Sequence, residues 1–233
     1  MDHGKPIIYV KNVRKVYRMG DEEVVALKRI NLRIYKGEVC CIFGTSGSGK
    51  STLLNQLAGM EKPTKGQVFI RGKSISRMSE EELAAFRQEH MSFIFQSYNL
   101  LPSMTAVENV AMPLMFKGMD RKRREAMAEE MLKRVGLSHR LHHYPSQMSG
   151  GQQQRAGIAR AFVSRPEVVF ADEPTGNLDT KTTAEIMDMV MGFARRFNQT
   201  IILVTHDPGM SRYADRIVTL VDGIITGDER KGQ

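Results

Sequence analysis

The stretch Gly44-Thr45-Ser46-Gly47-Ser48-Gly49-Lys50-Ser51-Thr52 constrains this chain more than any other feature, because it matches G-x-x-x-x-G-K-[ST]. The apolar run Val39–Phe43 precedes it, and a helix over Thr52–Ala58 is predicted to follow, the strand–loop–helix setting that the pattern requires. Glycines let successive backbone N–H groups turn inward and form an anion nest. The start of the next helix adds the positive end of its dipole. Lys50 supplies a point charge for the β- and γ-phosphates of a nucleoside triphosphate, and the Ser51 hydroxyl is suited to Mg²⁺. The competing reading, a Gly-rich turn beside a solvated lysine, does not account for the strand and helix on either side.

Composition narrows the class. The chain has 233 residues, 41% of them hydrophobic and 26% charged, which excludes wholesale disorder. Lys and Arg exceed Asp and Glu by 34 to 26, a net charge of +8. Such a balance suits a phosphate ligand, an anionic surface or nucleic acid, but charge alone favours a solvated basic surface. There are 16 Met, a soft residue common at adaptable docking surfaces, and no Trp. Cys40 and Cys41 are neighbours in an apolar strand and point to opposite faces, so no mutual disulfide is expected and a reducing cytosol fits. No run approaches the ~18 apolar residues of a membrane span. Met1-Asp2-His3-Gly4-Lys5-Pro6 does not resemble a signal peptide.

Strands are expected at Ile7–Val10, Val24–Tyr35, Glu38–Phe43, Gln67–Arg71 and Met91–Phe95, with Met19-Gly20-Asp21 as a turn and a helix over Ser79–Gln88. From Ser97 the period changes, and helices are expected at Thr105–Met112, Arg121–Val135 and Gln152–Val163. Strands return at Val168–Ala171, Thr200–Val204 and Ile217–Leu220, with a helix over Thr182–Arg196 between the first two. An α/β core is thus interrupted by a helical block and then resumes.

Two further places carry chemistry. The strand Val168–Ala171 runs into Asp172 and Glu173, and alternation would send these carboxylates to opposite faces. Asp172 then suits the Mg²⁺ shell, and Glu173 suits a general base that polarises water against the γ-phosphate. Ser149-Gly150-Gly151-Gln152 opens a helix, with Ser149 as N-cap and two glycines leaving backbone N–H groups uncovered at the positive end of the dipole. This resembles a second anion site, although a bare helix cap reads the same way in isolation.

Tyr17, the phosphate loop, Gln96, Ser149-Gly150-Gly151-Gln152, Asp172-Glu173, Asn177-Leu178-Asp179 and His206 occur in the order found in ABC-transporter ATPase domains. The chain resembles that family over nearly its whole length. Phe95–Pro102 and Asp172–Asp179 look like the branch of the lipoprotein-releasing, macrolide-exporting and cell-division ATPases (LolD, MacB and FtsE types). The resemblance implies an α/β fold: a P-loop NTPase core of RecA-like type, with an N-terminal antiparallel β subdomain and an inserted α-helical subdomain. It implies one ABC ATPase domain over 1–233. Residues 1–96 and 164–233 would form the nucleotide-binding core with the β subdomain, and 97–163 the helical signature subdomain.

The resemblance also implies a head-to-tail dimer of two copies enclosing two ATP molecules with Mg²⁺. Ser149, Gly150, Gly151 and Gln152 of one copy would grip the γ-phosphate held by the other's loop. Tyr17 would stack on adenine, although unaided it reads as a core aromatic. Gln96 would touch Mg²⁺ and the attacking water, positioning rather than deprotonating it, because an amide has no useful basicity. Asp179 would sit at the dimer seam. His206 would contact the γ-phosphate and orient Glu173. Met148 stands where the family commonly has Leu, a volume-conserving change.

A membrane permease of the FtsX or MacB type is the implied partner, placing the protein in the cytoplasm against the membrane; no nucleic-acid partner is expected. Leu100, Leu101, Met104, Val107, Val110, Met112, Leu114, Met115 and Phe116 form apolar surface that nucleotide hydrolysis does not need. Part of it is expected to receive a short permease helix and at least half to be the lobe's own core. Arg121-Lys122-Arg123-Arg124 at a helix start reads as a solvated face, with contact to lipid phosphates or an acidic loop as the alternative. There is no Asn-Lys-x-Asp guanine reader, no coiled-coil insertion and only one cassette, which argues against a GTPase, a DNA-repair ATPase and a translation ATPase. Two modes remain: export or extraction of a lipid, peptide, lipoprotein or drug, or force transmission through a permease-like protein that carries nothing.

Overall fold

The computed structural model describes residues 4–231, so Met1, Asp2 and His3 of the N-terminal reading lie outside the described residues. They divide into two compact units, 4–87 with 200–231, and 88–199.

In the first unit, β1 (Ile8–Met19) and β2 (Glu22–Ile34) form a long antiparallel pair, with Ile8 opposite Ile34 and Tyr17 opposite Val24. β4 (Lys65–Ile70) lies on the other side of β1, and the short β5 (Lys73–Ser74) completes the order β2-β1-β4-β5. β1 continues well past the expected end at Val10. Its register shifts between Val10 and Val16, with Asn12 at φ 50°, and each bulge resets the two-residue alternation that a sequence pattern relies on.

β3 (Val39–Phe43) is flanked in parallel by β8 (Thr200–Thr205) and β9 (Arg216–Val221). Residues 39–42 and 200–205 are all buried, as expected for parallel strands covered on both faces. β10 (Ile224–Arg230) pairs antiparallel with β9 and was not expected from its polar sequence. The signal was the turn Asp222-Gly223, both at positive φ (45° and 72°), the geometry of a two-residue hairpin. Arg216 anchors this hairpin from β9: it makes a two-pronged pair with Asp228 (2.5 and 2.6 Å) and donates to Arg33 O at 2.6 Å. Cys40 and Cys41 are free and buried. Burial pushes the Cys41 thiol up to about 11 and the Cys40 thiol higher still.

α1 (Lys50–Leu57) follows β3, and α2 (Glu80–His90) opens on the expected capping box, Ser79 N donating to Glu82 Oε2 at 2.8 Å.

In the second unit, β6 (Met91–Phe95) and β7 (Val168–Asp172) are parallel neighbours, and Phe93 stacks on Phe170 at 5.3 Å. Four helices accompany them: α3 (Ala106–Phe116), α4 (Arg121–Arg134), α5 (Gly150–Val163) and α6 (Thr180–Phe197). α3 runs through Pro113, past the expected end at Met112. Its buried face (Val107, Val110, Ala111, Leu114) spans the proline, so packing outweighs the lost hydrogen bond. α4 stops where Gly136 takes φ 79°.

Candidate nucleotide site

The phosphate loop belongs to the first unit. α1 begins at Lys50, two residues before the expected start, so Lys50 and Ser51 are its first helical residues and Gly49 its N-cap at φ 100°. A Cβ on Gly49 would lie 2.7 Å from Ala26 O, and one on Gly44 would lie 2.3 Å from Leu220 O. Both positions therefore need glycine for space, and Gly49 needs it for its left-handed conformation as well. Thr45, Ser46 and Gly47 are exposed, whereas Lys50 is only 7% exposed and its Nζ donates to Thr45 O at 2.8 Å. A bare backbone at a helix start, with one ammonium held beside it, fits a polyphosphate chain.

Tyr17 is half-buried, which sets aside its reading as a core aromatic. Its hydroxyl donates to Glu61 Oε2 at 2.7 Å, and Lys15 Nζ sits 3.0 Å from the same oxygen and 5.0 Å from the ring centroid. Burial and the neighbouring Glu61 raise the Tyr17 pKa, while a hydrogen bond with the Thr52 side chain works the other way. Burial pushes Glu61 up, but hydrogen bonds from Tyr17, Lys15 and Asn55 outweigh it and hold the carboxyl below its usual range. No sequence pattern pointed to Glu61, because its partners Tyr17 and Lys15 come from a distant strand. His206 is exposed and directly follows β8.

The second unit holds the carboxylates. Asp172 ends β7, opposite Phe95 of β6, so Gln96 and Glu173 leave neighbouring strand ends. Glu173 has φ 44° and is no longer extended. This corrects the alternation argument: the strand's period stops at Asp172, and the left-handed backbone directs Glu173. Gly176 N donates to Glu173 O at 3.1 Å, closing the turn. Asn177 Nδ2 donates to Gln96 O at 3.2 Å. A Cβ on Gly176 would lie 2.7 Å from Gln96 Nε2. Asp179 caps α6 from Thr180, again earlier than the expected Thr182, and accepts from the Lys181 and Thr182 amides at 3.1 and 3.0 Å. The Thr182 hydroxyl and these amides hold its carboxyl below the usual range.

Ser149 caps α5 in a full capping box with Gln152, so the helix starts at Gly150 rather than at the expected Gln152. Gly150 and Gly151 occupy its first turn and are both half-buried.

The apolar surface after Gln96 divides in two. Val107, Val110 and Leu114 are core, whereas Leu101, Met115 and Phe116 are exposed. Met104, Met112 and Met115 line a groove closed by Glu108, Arg121, Arg124 and Glu125. In the basic run, Arg121 pairs with Glu125 at 2.7 Å, Arg124 bonds Met119 O at 3.1 Å, and Lys122 and Arg123 are exposed.

Among the described residues no three His, Cys, Asp or Glu side chains form a metal cluster. Mg²⁺ does not need one: it keeps waters and phosphate oxygens and takes few protein ligands. The hydroxyl, amide and carboxylate oxygens of Ser51, Gln96 and Asp172 are the hard donors it accepts. No described helix is long and apolar enough to cross a membrane.

Comparison with known proteins agrees with this geometry. The ABC transporter family model matches residues 27–176. The chain is 48% identical over 219 residues to an uncharacterized ABC transporter ATP-binding protein of Methanocaldococcus jannaschii, covering 94% of this chain and 97% of the relative. It is 47% identical to the macrolide export ATP-binding/permease protein MacB of a Shewanella species, covering 97% of this chain but 34% of MacB, so it spans about a third of that relative. Its fold matches the ATP-binding cassette MJ0796, solved as a dimer in a post-hydrolysis state with ADP and Pi, at a TM-score of 0.89 and 42% identity, covering 96% of this chain and 98% of that one. A phosphate loop backed by α1, a serine-capped α5 and a carboxylate pair at the end of β7 thus occur in a chain whose relatives are ATP-binding cassettes, and the chain belongs to the ABC transporter family as an ATP-binding subunit.

Proposed function

We propose that this subunit hydrolyses ATP as a head-to-tail homodimer and uses the cycle to move a membrane permease that exports or extracts a lipid, peptide, lipoprotein or drug. The observation that carries this reading is that one chain has two helix starts with glycine backbone, at Gly49–Lys50 and at Ser149–Gly151, each of which suits a phosphate. Two such helix starts on one chain suit a pair of copies in which each nucleotide is gripped from both sides. The MJ0796 cassette, solved as a dimer, supports the same assembly.

In this mechanism the backbone of Gly44–Gly49 and the Lys50 ammonium hold the phosphates, Thr52 helps to seat them, and Tyr17 stacks on adenine. Ser51, Gln96 and Asp172 would hold Mg²⁺, which supplies charge neutralisation at the phosphates when bound. Glu173 takes the proton of the attacking water as general base. Gln96 orients that water, and His206 orients Glu173 and contacts the γ-phosphate. Ser149, Gly150, Gly151 and Gln152 grip the other copy's nucleotide, and Asp179 lies near the seam. Because two copies must meet, phosphate release per subunit is expected to rise with protein concentration and to require Mg²⁺. A turnover independent of concentration, or its absence in purified protein and native membranes alike, overturns the reading.

The groove beside Met104, Met112 and Met115 is the proposed seat of a permease helix, which would place the subunit on the cytoplasmic face of the membrane. A Met115→Glu/Phe116→Glu variant alters exposed side chains only (39% and 62% exposed). It is expected to keep ATPase activity and to lose co-purification with its permease. Undiminished permease recovery would count against the groove.

A further inference from the structure

We infer that Tyr98 and Arg160 are positioning residues that strap the segment after Gln96 along the length of α5, so that a shift at Gln96 reaches the Ser149–Gly150 helix tip of the same chain. The inference deepens the proposed function and rests on the roles given there to Gln96 and Ser149.

Tyr98 and Asn99 are consecutive non-glycine residues in the left-handed region, at φ 61° and 49°. Asn tolerates that region, whereas an aromatic residue seldom enters it, and such conformations persist only where their surroundings over-determine them. Here the surroundings are α5. Arg160, 9% exposed, directs Nη2 at Tyr98 O (2.8 Å) and Nη1 at Asn99 O. Burial alone pulls its pKa down, so this guanidinium is held out of water. A buried guanidinium needs its donors satisfied, and two adjacent carbonyls are brought to it by the left-handed pair.

The rest of α5 is shaped for the same segment. A Cβ on Gly150 would lie 2.8 Å from the Tyr98 hydroxyl, and one on Gly157 would lie 3.6 Å from Tyr98 O. Positions 150, 157 and 160 fall on one helix stripe about 15 Å long. Two glycines and an arginine therefore make a track, and Tyr98 lies in it with its hydroxyl at the helix tip and its carbonyl at the clamp. The other end of the segment is tied as well, through the bond from Asn177 to Gln96 O. A short stretch of chain thus touches the carboxylate turn, the middle of α5 and its N-terminus. Because a packed segment moves as a unit, displacement of Gln96 is passed to the tip that grips the other copy's nucleotide.

The test compares Arg160→Met, Arg160→Met/Asn99→Gly and Asn99→Val with the parent protein, measuring phosphate release and the Kd for a fluorescent ATP analogue. Arg160→Met is expected to lower kcat by about ten-fold or more, as a misplaced positioning group does, with the analogue's Kd within about two-fold because the phosphate loop lies elsewhere. Adding Asn99→Gly is expected to restore most of the turnover, since glycine takes positive φ without the clamp. A merely structural loss at Arg160 would lower affinity and turnover together. Should Arg160→Met fail to fold, Asn99→Val decides: position 99 is exposed, and valine resists positive φ, so kcat should fall while Asn99→Gly alone keeps it. Unchanged kcat in Arg160→Met or in Asn99→Val, or a loss that Asn99→Gly does not repair, overturns the strap. Gln96→Ala runs in parallel. If it lowers kcat while the strap variants do not, only the strap fails; if it leaves kcat unchanged, the role of Gln96 fails and the strap with it.

Discussion

Replacing Glu173 with Gln is expected to stop turnover while leaving ATP binding in place, so that the protein accumulates as an ATP-bound dimer. The amide matches the carboxylate in shape but cannot accept the proton of the attacking water, and general-base catalysis of this kind is worth about 10²–10⁴-fold. In the proposed mechanism the change also removes one negative charge from beside the γ-phosphate, which favours the closed state. Glu173 already sits at φ 44°, and Gln meets the same backbone restriction as Glu, so the turn closed by the bond from Gly176 N to Glu173 O should survive. Phosphate release reads the first effect, and gel filtration with ATP–Mg²⁺ reads the second. A strictly monomeric variant at high concentration, or turnover within a few-fold of the parent, would remove Glu173 from the role of base.

Lys50→Ala should act at the other end of the reaction. Lys50 is almost fully buried, and its ammonium lies against Thr45 O at 2.8 Å, inside the loop it serves. Alanine is an excellent helix former, so the first turn of α1 is retained. What is lost is a charged donor to the phosphates, worth about 1.5–3 kcal/mol, or roughly 10- to 150-fold in nucleotide affinity. Titration with a fluorescent ATP analogue, alongside a thermal melt to confirm folding, measures this directly. Unaltered affinity together with unaltered turnover would mean that the loop does not hold the nucleotide.

The two variants separate binding from chemistry, because the proposed mechanism gives Lys50 to the phosphates and Glu173 to the proton of the attacking water. Arg160 and Asn177, by contrast, touch no phosphate in the proposed mechanism. Their hydrogen bonds go to the backbone carbonyls of residues 96, 98 and 99.

How legible all of this was depended on the range of the interactions concerned. The phosphate loop, the Ser149 cap and the Asp172–Glu173 pair are short, contiguous patterns whose geometry is set within a turn or two, so their residue types already declare an anion nest, a helix start and a carboxylate pair. The parallel strands β3, β7 and β8 were equally visible, because burial on both faces forces an unbroken apolar run. The length of β1 was hidden by its bulges, and β10 by a polar edge whose Asp222-Gly223 turn was the better clue.

By itself, then, the amino-acid order determined which chemistry this protein carries, since helix caps, glycine turns and buried strands are local consequences of side-chain size and polarity. Only the tertiary structure decided how that chemistry is held. The hold of Glu61 on Tyr17 and the closure of Arg160 over Tyr98 and Asn99 join residues 44 and 61–62 positions apart. The physical reason is that burial and hydrogen-bond satisfaction act between groups that meet only after the chain has folded, and a two- or 3.6-residue period contains no record of such meetings.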